Sequence, residues 1–290
     1  MTGGIDGETQ LVGLIGWPVG HSLSPAMHNA GFAHLGLNWR YVPLPVRPER
    51  LADAVRGLAA LGFRGANLTA PHKVAVISLL DSLDESARLV GAVNAIQIDG
   101  ESGRLIGLNT DIEGFLTDLA ANGMLPTPGA RVIVLGAGGA ARAIGMALIQ
   151  SGARVTFVNR TPSHAERLVD SMRAVRPEVD VRVVGLESLH AVGSEAALIV
   201  NTTPLGMWPD VETSPWPEFV PLPPGAAVYD TVYRPVETRL VREAQAAGLR
   251  ATGGTGMLVR QGAFAFALWT GRAAPLDVMR AACDAALREG

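Results

Sequence analysis

The sequence predicts an α/β protein with two domains, and three observations support that fold class. The chain has 290 residues and a hydrophobic content of 48%, which is enough for two separate cores. Short β-type runs alternate with helical patterns along most of the chain, as is typical of α/β folds. A Gly-rich turn at 136–140 joins one such run to a helix, as in doubly wound parallel sheets.

The first series of elements predicts a parallel α/β layer. In chain order its members are strands 11–15 and 40–44, helix 48–61, strand 64–68, helices 74–80 and 85–89, and strand 92–98. A hairpin turn at 100–103 returns the chain through 104–108, and a helix follows over 112–122.

The second series begins after the breakers at 126–129 and predicts a Rossmann-like, doubly wound parallel sheet. Its strands are expected at 132–135, 155–158, 181–184, 198–200 and 227–229, with helices near 140–150, 164–174 and 237–247. Two last helices, 257–269 and 276–288, are expected to return to the first domain. The predicted domains are therefore 1–110, completed by 257–290, and 111–256.

Composition excludes several classes of function. The net charge is −3 and the basic residues form no stripe, so we expect no binding to nucleic acid or to a membrane surface. A single cysteine, Cys283, excludes an internal disulfide and a thiolate zinc cluster, and no metal is expected. The N-terminus lacks the features of a signal peptide, and no apolar run approaches the ~18 residues of a membrane span. We expect a cytoplasmic monomer or homodimer that acts on a small molecule.

The turn at 136–140 has the composition of a dinucleotide-binding loop. Glycines there let the backbone approach a pyrophosphate, whose charge is met by the N–H groups and dipole of the following helix. A tight packing corner is the alternative interpretation. The next strand ends in Asn159-Arg160-Thr161 instead of an acidic residue. Because a guanidinium matches a ribose 2′-phosphate in charge and geometry, Arg160 favours NADP over NAD.

Two hydroxyls, Ser22 and Ser24, follow the first strand directly. Together with the N–H groups of a helix opened by Pro25, they are suited to bind a carboxylate. The alternative is that Ser24 is only the N-cap of this helix.

A second polar cluster, containing Asn67, Thr69 and Lys73, follows the strand at 64–68, at the edge where open α/β sheets bind ligands. Asn67 and Thr69 share a face if the strand continues. Lys73 is expected at the start of a helix, where the dipole disfavours an ammonium, as a proton-transferring lysine requires. A solvated lysine is the alternative, and His72 is expected to be a structural neighbour.

Asp111 lies where the first domain passes into the second, on the wall of any interdomain cleft, and is a candidate partner for Lys73. A carboxylate beside an amine lets the pair share and relay a proton. The alternative is a plain N-cap for the helix over 112–122. Further on, the motifs at 201–207 and 229–233, and Gln261, are polar groups that are not diagnostic alone.

The ordered set of motifs resembles the shikimate dehydrogenase family. The motifs are HSLSPxxHN, GANLTxPHK, GAVN, NTD, GAGGAAR, NRT, NTTPLGM, YDTVY and GMLVRQGA, and the resemblance covers residues 11–287. It implies a substrate-binding and catalytic first domain and an NADP-binding second domain. It also implies reversible reduction of 3-dehydroshikimate to shikimate by NADPH, a step of chorismate and aromatic amino acid biosynthesis.

The resemblance further implies roles for single residues. Lys73 and Asp111 match the catalytic pair, in which Lys73 supplies a proton to the developing alkoxide and Asp111 orients it. The substrate-binding positions are Ser22 and Ser24 with Tyr233 for the carboxylate, and Asn67, Thr69, Asn94 and Gln261 for the ring hydroxyls. The cofactor-binding positions are Gly136, Ala137, Gly138, Gly139 and Ala140 for the diphosphate, Asn159, Arg160, Thr161 and His164 for the 2′-phosphate, Thr231 and Gly254 for the nicotinamide side, and Glu85.

His164 departs from the family pattern, because many NADP-using members have a second arginine at this position. Histidine is only partly charged near neutral pH, so we expect a looser or pH-dependent phosphate clamp unless Arg167 substitutes.

Three alternatives share the architecture. Catabolic quinate/shikimate dehydrogenases commonly have an acidic residue in place of Arg160. A silent ligand sensor would be expected to lose the Lys73–Asp111 pair. Methylenetetrahydrofolate dehydrogenase has no obvious use for Ser22 and Ser24.

Overall fold

The computed structural model describes residues 4–289 and divides into two compact α/β units. One unit comprises residues 4–114 and 259–289, and the other comprises residues 115–258. The boundaries fall inside two helices, not between elements.

The strands are β1 (Gln10–Gly16), β2 (Trp39–Pro45), β3 (Phe63–Leu68), β4 (Ser82–Leu83), β5 (Ala95–Ile98), β6 (Leu105–Leu108), β7 (Arg131–Leu135), β8 (Arg154–Val158), β9 (Val181–Val184), β10 (Leu198–Asn201), β11 (Ala227–Asp230) and β12 (Arg250–Thr252). The α-helices are α1 (Ser24–His34), α2 (Leu51–Ala60), α3 (Glu85–Val90), α4 (Asp111–Ala121), α5 (Gly139–Gln150), α6 (Pro162–Val175), α7 (Leu189–Gly193), α8 (Arg239–Ala246), α9 (Thr255–Thr270) and α10 (Leu276–Glu289). Short 3-10 helices cover Pro48–Arg50, Ala75–Leu79 and Leu186–Ser188.

The sheet of the first unit has the order β2-β1-β3-β5-β6-β4. Strands β2, β1 and β3 are parallel, as predicted, but β5 is antiparallel to both β3 and β6. The prediction of a parallel layer is therefore wrong for the second half of this sheet. The hairpin predicted at 100–103 accounts for the antiparallel pairing of β5 with β6, because strands joined by a tight turn run antiparallel.

The sheet of the second unit is parallel throughout, with the order β12-β11-β10-β7-β8-β9. Numbered within the unit, this is the Rossmann order 3-2-1-4-5-6 read from the opposite edge. The predicted fold class is confirmed. Strand β12 was not predicted, because three residues after a helix carry too little pattern.

Each unit has its own apolar core. In the first unit, Ile15, Phe63 and Ile96 lie between the sheet and α2. In the second unit, Ile133, Ile199 and Val228 anchor a cluster that also buries the side chain of Trp216. Parallel strands covered on both faces are apolar almost throughout, which explains the run Val132–Leu135.

The C-terminal helices belong to the first unit, which confirms the prediction. The indole of Trp269 on α9 donates to the carbonyl of Ile96 at 2.9 Å, and α10 packs against α1. Cys283 on α10 is buried, and this burial raises the pKa of its thiol to about 12. A thiol that stays protonated is a poor nucleophile. Within residues 4–289, no helix has the length and apolarity needed to cross a membrane.

Three local predictions are wrong. The helix expected over 74–80 is a 3-10 helix, so Lys73 precedes it in a turn and no α-helical dipole acts on the amine. Strand β5 begins at Ala95 and not at residue 92, because Val93 donates its N–H to the carbonyl of Lys73 instead of to a strand. Ser24 is the first residue of α1 and not its N-cap, which is Leu23.

Candidate active site

The first unit contains a partly buried ion pair between Lys73 and Asp111. The ammonium Nζ donates to the carboxylate Oδ2 at 2.7 Å, and the two side chains are 21% and 7% exposed. Two backbone contacts fix the partners. Val93 donates its N–H to the carbonyl of Lys73 at 2.7 Å, and Asp111 donates its own N–H to the Asn109 side chain at 3.1 Å. An amine that is paired yet still reaches solvent is placed to exchange protons.

Asn94 holds the other oxygen of Asp111. Its Nδ2 donates to Asp111 Oδ1 at 2.7 Å and to Thr110 Oγ1 at 3.0 Å, and Gln261 Oε1 lies 3.4 Å away. Its Oδ1 accepts the N–H of Thr110 at 2.7 Å. Both sides of the amide are therefore engaged within the protein, and Asn94 orients Asp111 in this structure. Its predicted contact with a ring hydroxyl stays a prediction.

A second chain of hydrogen bonds begins at Tyr41, whose phenol lies near the hydroxyl of the predicted carboxylate-binding Ser24. The phenol donates to Asn67 Oδ1 at 2.9 Å. Asn67 in turn donates to the carbonyl of Asn94 at 3.0 Å. Burial raises the pKa of Tyr41 above its usual range, so the phenol remains a neutral donor. The chain of hydrogen bonds runs from Tyr41 through Asn67, Asn94 and Asp111 to Lys73 without leaving the first unit.

Under this chain of contacts lies an aromatic cluster centred on His28. Its ring stacks on Tyr41 with centroids 4.4 Å apart, and neither ring nitrogen has a hydrogen-bond partner among the described residues. Burial lowers the pKa of His28 to about 3, so the imidazole is neutral. His28 therefore packs against Tyr41 like a hydrophobic residue.

The remaining predicted substrate residues lie as follows. Ser22 precedes α1 and accepts the N–H of Ser24 at 3.2 Å. Thr69 comes directly after β3, which ends at Leu68, so the strand does not continue through it as the shared-face prediction required. Gln261 lies on α9 beside Asn94. Tyr233 belongs to the second unit, in the loop after β11.

Sequence reasoning did not identify Tyr41, which holds Asn67, and gave no role to Thr110 of the NTD motif, which holds Asn94. The chain has three tyrosines, and the other two lie in the motif at 229–233. The available signal was the position of Tyr41 on the strand beside β1, which leads into the serine turn. His72 is the expected structural neighbour, because its Nε2 lies 2.7 Å from the carbonyl of Val46.

In the second unit, the turn at 136–140 has the geometry of an anion cradle. Gly136 has φ of 109°, and a Cβ there would lie 2.6 Å from Thr202 Oγ1, so only glycine fits. Gly138 is the N-cap of α5, has no side-chain cap, and faces open space where a Cβ would be. The first N–H groups of α5, from Gly139 and Ala140, are thus available to a diphosphate beside Ala137. The turn fits a dinucleotide.

The end of β8 carries the predicted 2′-phosphate residues. The amide of Asn159 donates to the carbonyl of Thr161 at 2.8 Å and so shapes the turn. Thr161 is the N-cap of α6 and makes no side-chain cap bond, while Arg160 and His164 are exposed beside it. An exposed guanidinium at an open helix N-terminus fits a phosphate better than it fits a free 2′-hydroxyl.

Two further predicted cofactor-binding residues, Thr231 and Gly254, lie in the second unit, whereas Glu85 lies in the first. Gly254 donates its N–H to the carbonyl of Val232 at 2.9 Å, and a Cβ on Gly254 would overlap the carbonyl of Thr231. This close backbone approach requires glycine. Glu85 is the exposed first residue of α3 in the first unit, which is the unit that contains Lys73.

Fold and site define an α/β oxidoreductase with a Rossmann-like nucleotide unit. Three family models match the chain: "Shikimate dehydrogenase substrate binding domain" over residues 14–96, "Shikimate / quinate 5-dehydrogenase" over 118–204, and "Shikimate 5'-dehydrogenase C-terminal domain" over 254–283. The chain belongs to the shikimate dehydrogenase family, as the motifs predicted.

Relatives match over nearly the full length. A shikimate dehydrogenase (NADP(+)) of Symbiobacterium thermophilum is 49% identical over 97% of this chain and 96% of its own. A shikimate dehydrogenase crystallised with NADP+ is 38% identical with a TM-score of 0.90, covering 97% of this chain and 96% of that one. The Thermus thermophilus enzyme in complex with NADP(H) and shikimate is 40% identical with a TM-score of 0.85, covering 96% and 100%.

Proposed function

We propose that this protein catalyses the reversible, NADPH-dependent reduction of 3-dehydroshikimate to shikimate in aromatic amino acid biosynthesis. The observation that carries the proposal is the Lys73–Asp111 pair, at 2.7 Å, in the unit that matches the substrate-binding family model. A silent ligand sensor needs no such pair. The presence of the Lys73–Asp111 pair therefore supports an enzyme. Family membership and the open turn at Gly136–Ala140 support NADP as the cofactor.

The proposed chemistry assigns proton transfer to Lys73. NADPH supplies the hydride that converts the ketone to an alcohol. As the carbonyl oxygen gains negative charge, the Lys73 ammonium donates a proton to it, and Asp111 balances the charge and fixes the direction of the amine. Asn94 keeps Asp111 in place through the 2.7 Å bond to Oδ1. In the reverse direction the neutral amine accepts the hydroxyl proton.

The identity of this basic residue supports the assignment. Lys73 is the only lysine in the sequence, whereas the chain contains 23 arginines. A guanidinium stays protonated under all ordinary conditions, while an amine can release a proton and recover it. A chain that uses arginine elsewhere therefore has its one titratable amine side chain at the position where proton transfer is proposed.

Substrate recognition follows the hydrogen-bond chain. Ser22 and Ser24 are proposed to bind the carboxylate of the substrate, with Tyr233 assisting. The proposed partners of the ring hydroxyls are Asn67, Thr69, Asn94 and Gln261. Their support is that Asn67, Asn94 and Gln261 are joined by hydrogen bonds within one unit, the unit that also contains Ser24.

The proposed cofactor contacts are of three kinds. The diphosphate would be held by Gly136, Ala137, Gly138, Gly139 and Ala140. The 2′-phosphate would be held by Asn159, Arg160, Thr161 and His164. The nicotinamide side would be held by Thr231 and Gly254, and Glu85 is a further cofactor-binding position. Exposure of Arg160 and His164 at the N-terminus of α6 supports the 2′-phosphate assignment. A cytoplasmic location and a monomeric or homodimeric state stay predictions.

The test is a panel of initial rates at 340 nm with shikimate or quinate against NADP or NAD. We expect the highest kcat/KM for shikimate with NADP, and a kcat/KM lower by about 10² to 10⁴ for Lys73→Ala under the same conditions. A preference for quinate with NAD would instead support the catabolic alternative, and absence of turnover with all four pairs would contradict the proposal.

A further inference from the structure

Asp230 is a buried carboxylate for which the proposed chemistry has no use. It ends β11 and has no exposed surface. Its Oδ1 accepts the Asn201 side-chain amide at 2.8 Å and the N–H of Val232 at 3.0 Å, and its Oδ2 accepts the Thr238 hydroxyl at 2.7 Å. These donors come from three segments: the end of β10, the loop after β11, and the N-cap of α8.

The network continues from Asn201 to the diphosphate turn. Asn201 Oδ1 accepts both the N–H and the hydroxyl of Thr203 at 2.8 Å. The intervening Thr202 donates to the carbonyl of Leu135 at 2.6 Å, and its Oγ1 occupies the space beside Gly136 that a Cβ would need. The loop after β10 is thus held at its start by Asp230 through Asn201, and the next residue, Thr202, packs against the turn that fits a diphosphate.

The network also reaches the loop after β11. Thr231, directly after Asp230, donates its N–H to the carbonyl of Asn201 at 3.0 Å. Val232, whose N–H binds Asp230, accepts the N–H of Gly254 at 2.9 Å. Thr231 and Gly254 are both positions of the proposed cofactor site. One carboxylate therefore lies at the junction of the segments that carry them.

We propose that Asp230 is a positioning residue that holds the loops 202–207 and 231–237 in the conformation that binds the nucleotide. This inference rests on the proposed function, because it assigns those loops to the cofactor site. The residue acts through Asn201, Val232 and Thr238 and not by touching the nucleotide.

An ionised carboxylate suits this role because it only accepts hydrogen bonds, and bonds to a charged acceptor are the stronger kind. Burial raises the pKa of Asp230 to about 6, opposed by the three donated hydrogen bonds, so the group is charged at neutral pH. The hydrogen-bond partners that the structure describes for it include no cation. A buried charge without a cation lowers the free energy of unfolding. Groups that destabilise the fold in this way are expected at functional sites, which is consistent with a positioning role for Asp230.

The test compares wild type with Asp230→Asn in the full chain. Hydrogen exchange is followed by mass spectrometry without nucleotide, and NADP binding is measured by calorimetry. Asparagine keeps the shape but loses the charge. We expect amide exchange in loops 202–207 and 231–237 to accelerate about tenfold, with the rest of the second unit unchanged, and the Kd for NADP to rise about tenfold.

Two further variants make the outcome decisive. Asp118→Asn is the matched control, because Asp118 is also a buried carboxylate. It accepts the hydroxyl of Tyr229 at 2.7 Å, and the side chain of Tyr229 is on the opposite face of β11 from that of Asp230. We expect it to leave exchange in both loops unchanged. If Asp230→Asn does not fold, Thr238→Val takes its place, because it removes one of the three donors to Asp230. Thr238→Ser keeps the hydroxyl and should show the amide exchange of the wild type in both loops.

The inference is overturned if Asp230→Asn, or Thr238→Val in its place, leaves loop exchange and the Kd for NADP within twofold of wild type. Uniformly faster exchange across the second unit would also overturn it, since that indicates general destabilisation. Failure of the proposed function gives a different result, namely a wild-type protein that binds no NADP while its loops still respond to the substitution.

Discussion

The Lys73 ammonium and the Asp111 carboxylate lie 2.7 Å apart, although 38 positions separate the two residues in the sequence. Strand β3 ends shortly before Lys73, and α4 begins at Asp111. The pairing therefore depends on the arrangement of β3, β5 and β6 in one sheet. A charge pair that is held by backbone hydrogen bonds on both sides has little freedom to separate, which is what a repeated proton transfer needs.

Lys73→Ala is expected to reduce kcat by about 10² to 10⁴ and to change KM little, because it removes an interaction made mainly in the transition state. Steady-state kinetics with shikimate and NADP measure both constants. Arg56→Ala, which removes an exposed cation paired with Asp53 in the same unit, is the control and should leave both unchanged. Near-normal turnover of Lys73→Ala would remove Lys73 from the mechanism.

Asn94→Ala is expected to lower kcat about tenfold or more, since Asp111 Oδ1 then loses its donor and an unsatisfied buried acceptor costs about 1–3 kcal/mol. The control is Gln97→Ala, an amide on β5, the strand that begins directly after Asn94; its side chain donates to the carbonyl of Leu268 at 3.4 Å. If both variants retain wild-type kcat, Asn94 does not orient Asp111 in the working enzyme.

Arg160→Ala is expected to lower kcat/KM for NADP by roughly tenfold to hundredfold and to leave kcat/KM for NAD unchanged, because a hydrogen bond to a charged group contributes about 1.5–3 kcal/mol. Arg182→Ala, another exposed arginine of the same unit, is the control. Measuring the wild type at acid and alkaline pH then reveals how far His164 contributes. Equal efficiency of the wild type with NADP and NAD would refute the assignment of the 2′-phosphate site.

The stability of the protein should depend on pH through His28. Its pKa is about 3 in the folded state against 6.5 in the unfolded chain, so its contribution to stability is complete above pH 6.5 and is lost as the pH falls towards 3. Between about pH 7.5 and pH 5 this amounts to roughly 2 kcal/mol.

Urea unfolding of wild type and His28→Phe at several pH values measures this dependence. The two proteins share all other titrating groups, so these cancel in the difference between the two unfolding free energies. Between about pH 7.5 and pH 5, the wild type should therefore lose roughly 2 kcal/mol of stability relative to His28→Phe. Phe32→Leu, a change of a ring in the same cluster that does not titrate, should show a constant difference. A constant difference for His28→Phe as well would show that the folded protein accepts a proton there.

The sequence predicted those features that depend on local pattern. Apolar runs followed by Gly136 and Arg160 indicated the nucleotide unit, because a dinucleotide loop needs glycine and helix in immediate succession. The position of Lys73 after a strand and that of Asp111 at the domain junction suggested a pair, but not the way it is held. Asn94 and Tyr41 support the site through contacts between segments that the sheet brings together. The order of the strands determines those contacts, and it cannot be predicted from the sequence around Asn94 or around Tyr41 alone.

The errors have the same origin. A helical pattern after Lys73 did not distinguish an α-helix from five residues of 3-10 helix, since the two differ by one residue in their hydrogen-bond spacing. The carboxylate of Asp230 passed unnoticed within the motif at 229–233. Its significance arises from Asn201 and Thr238, which reach it only in the folded sheet.

The most direct test of the central claim is the turnover of Lys73→Arg, followed at 340 nm with saturating shikimate and NADP. Arginine keeps the positive charge and a partner for Asp111 but does not release a proton. We predict that kcat falls at least a hundredfold while KM for shikimate stays within a few-fold of wild type. Turnover equal to that of wild type would show that Lys73 only supplies charge, and would contradict proton transfer by this residue.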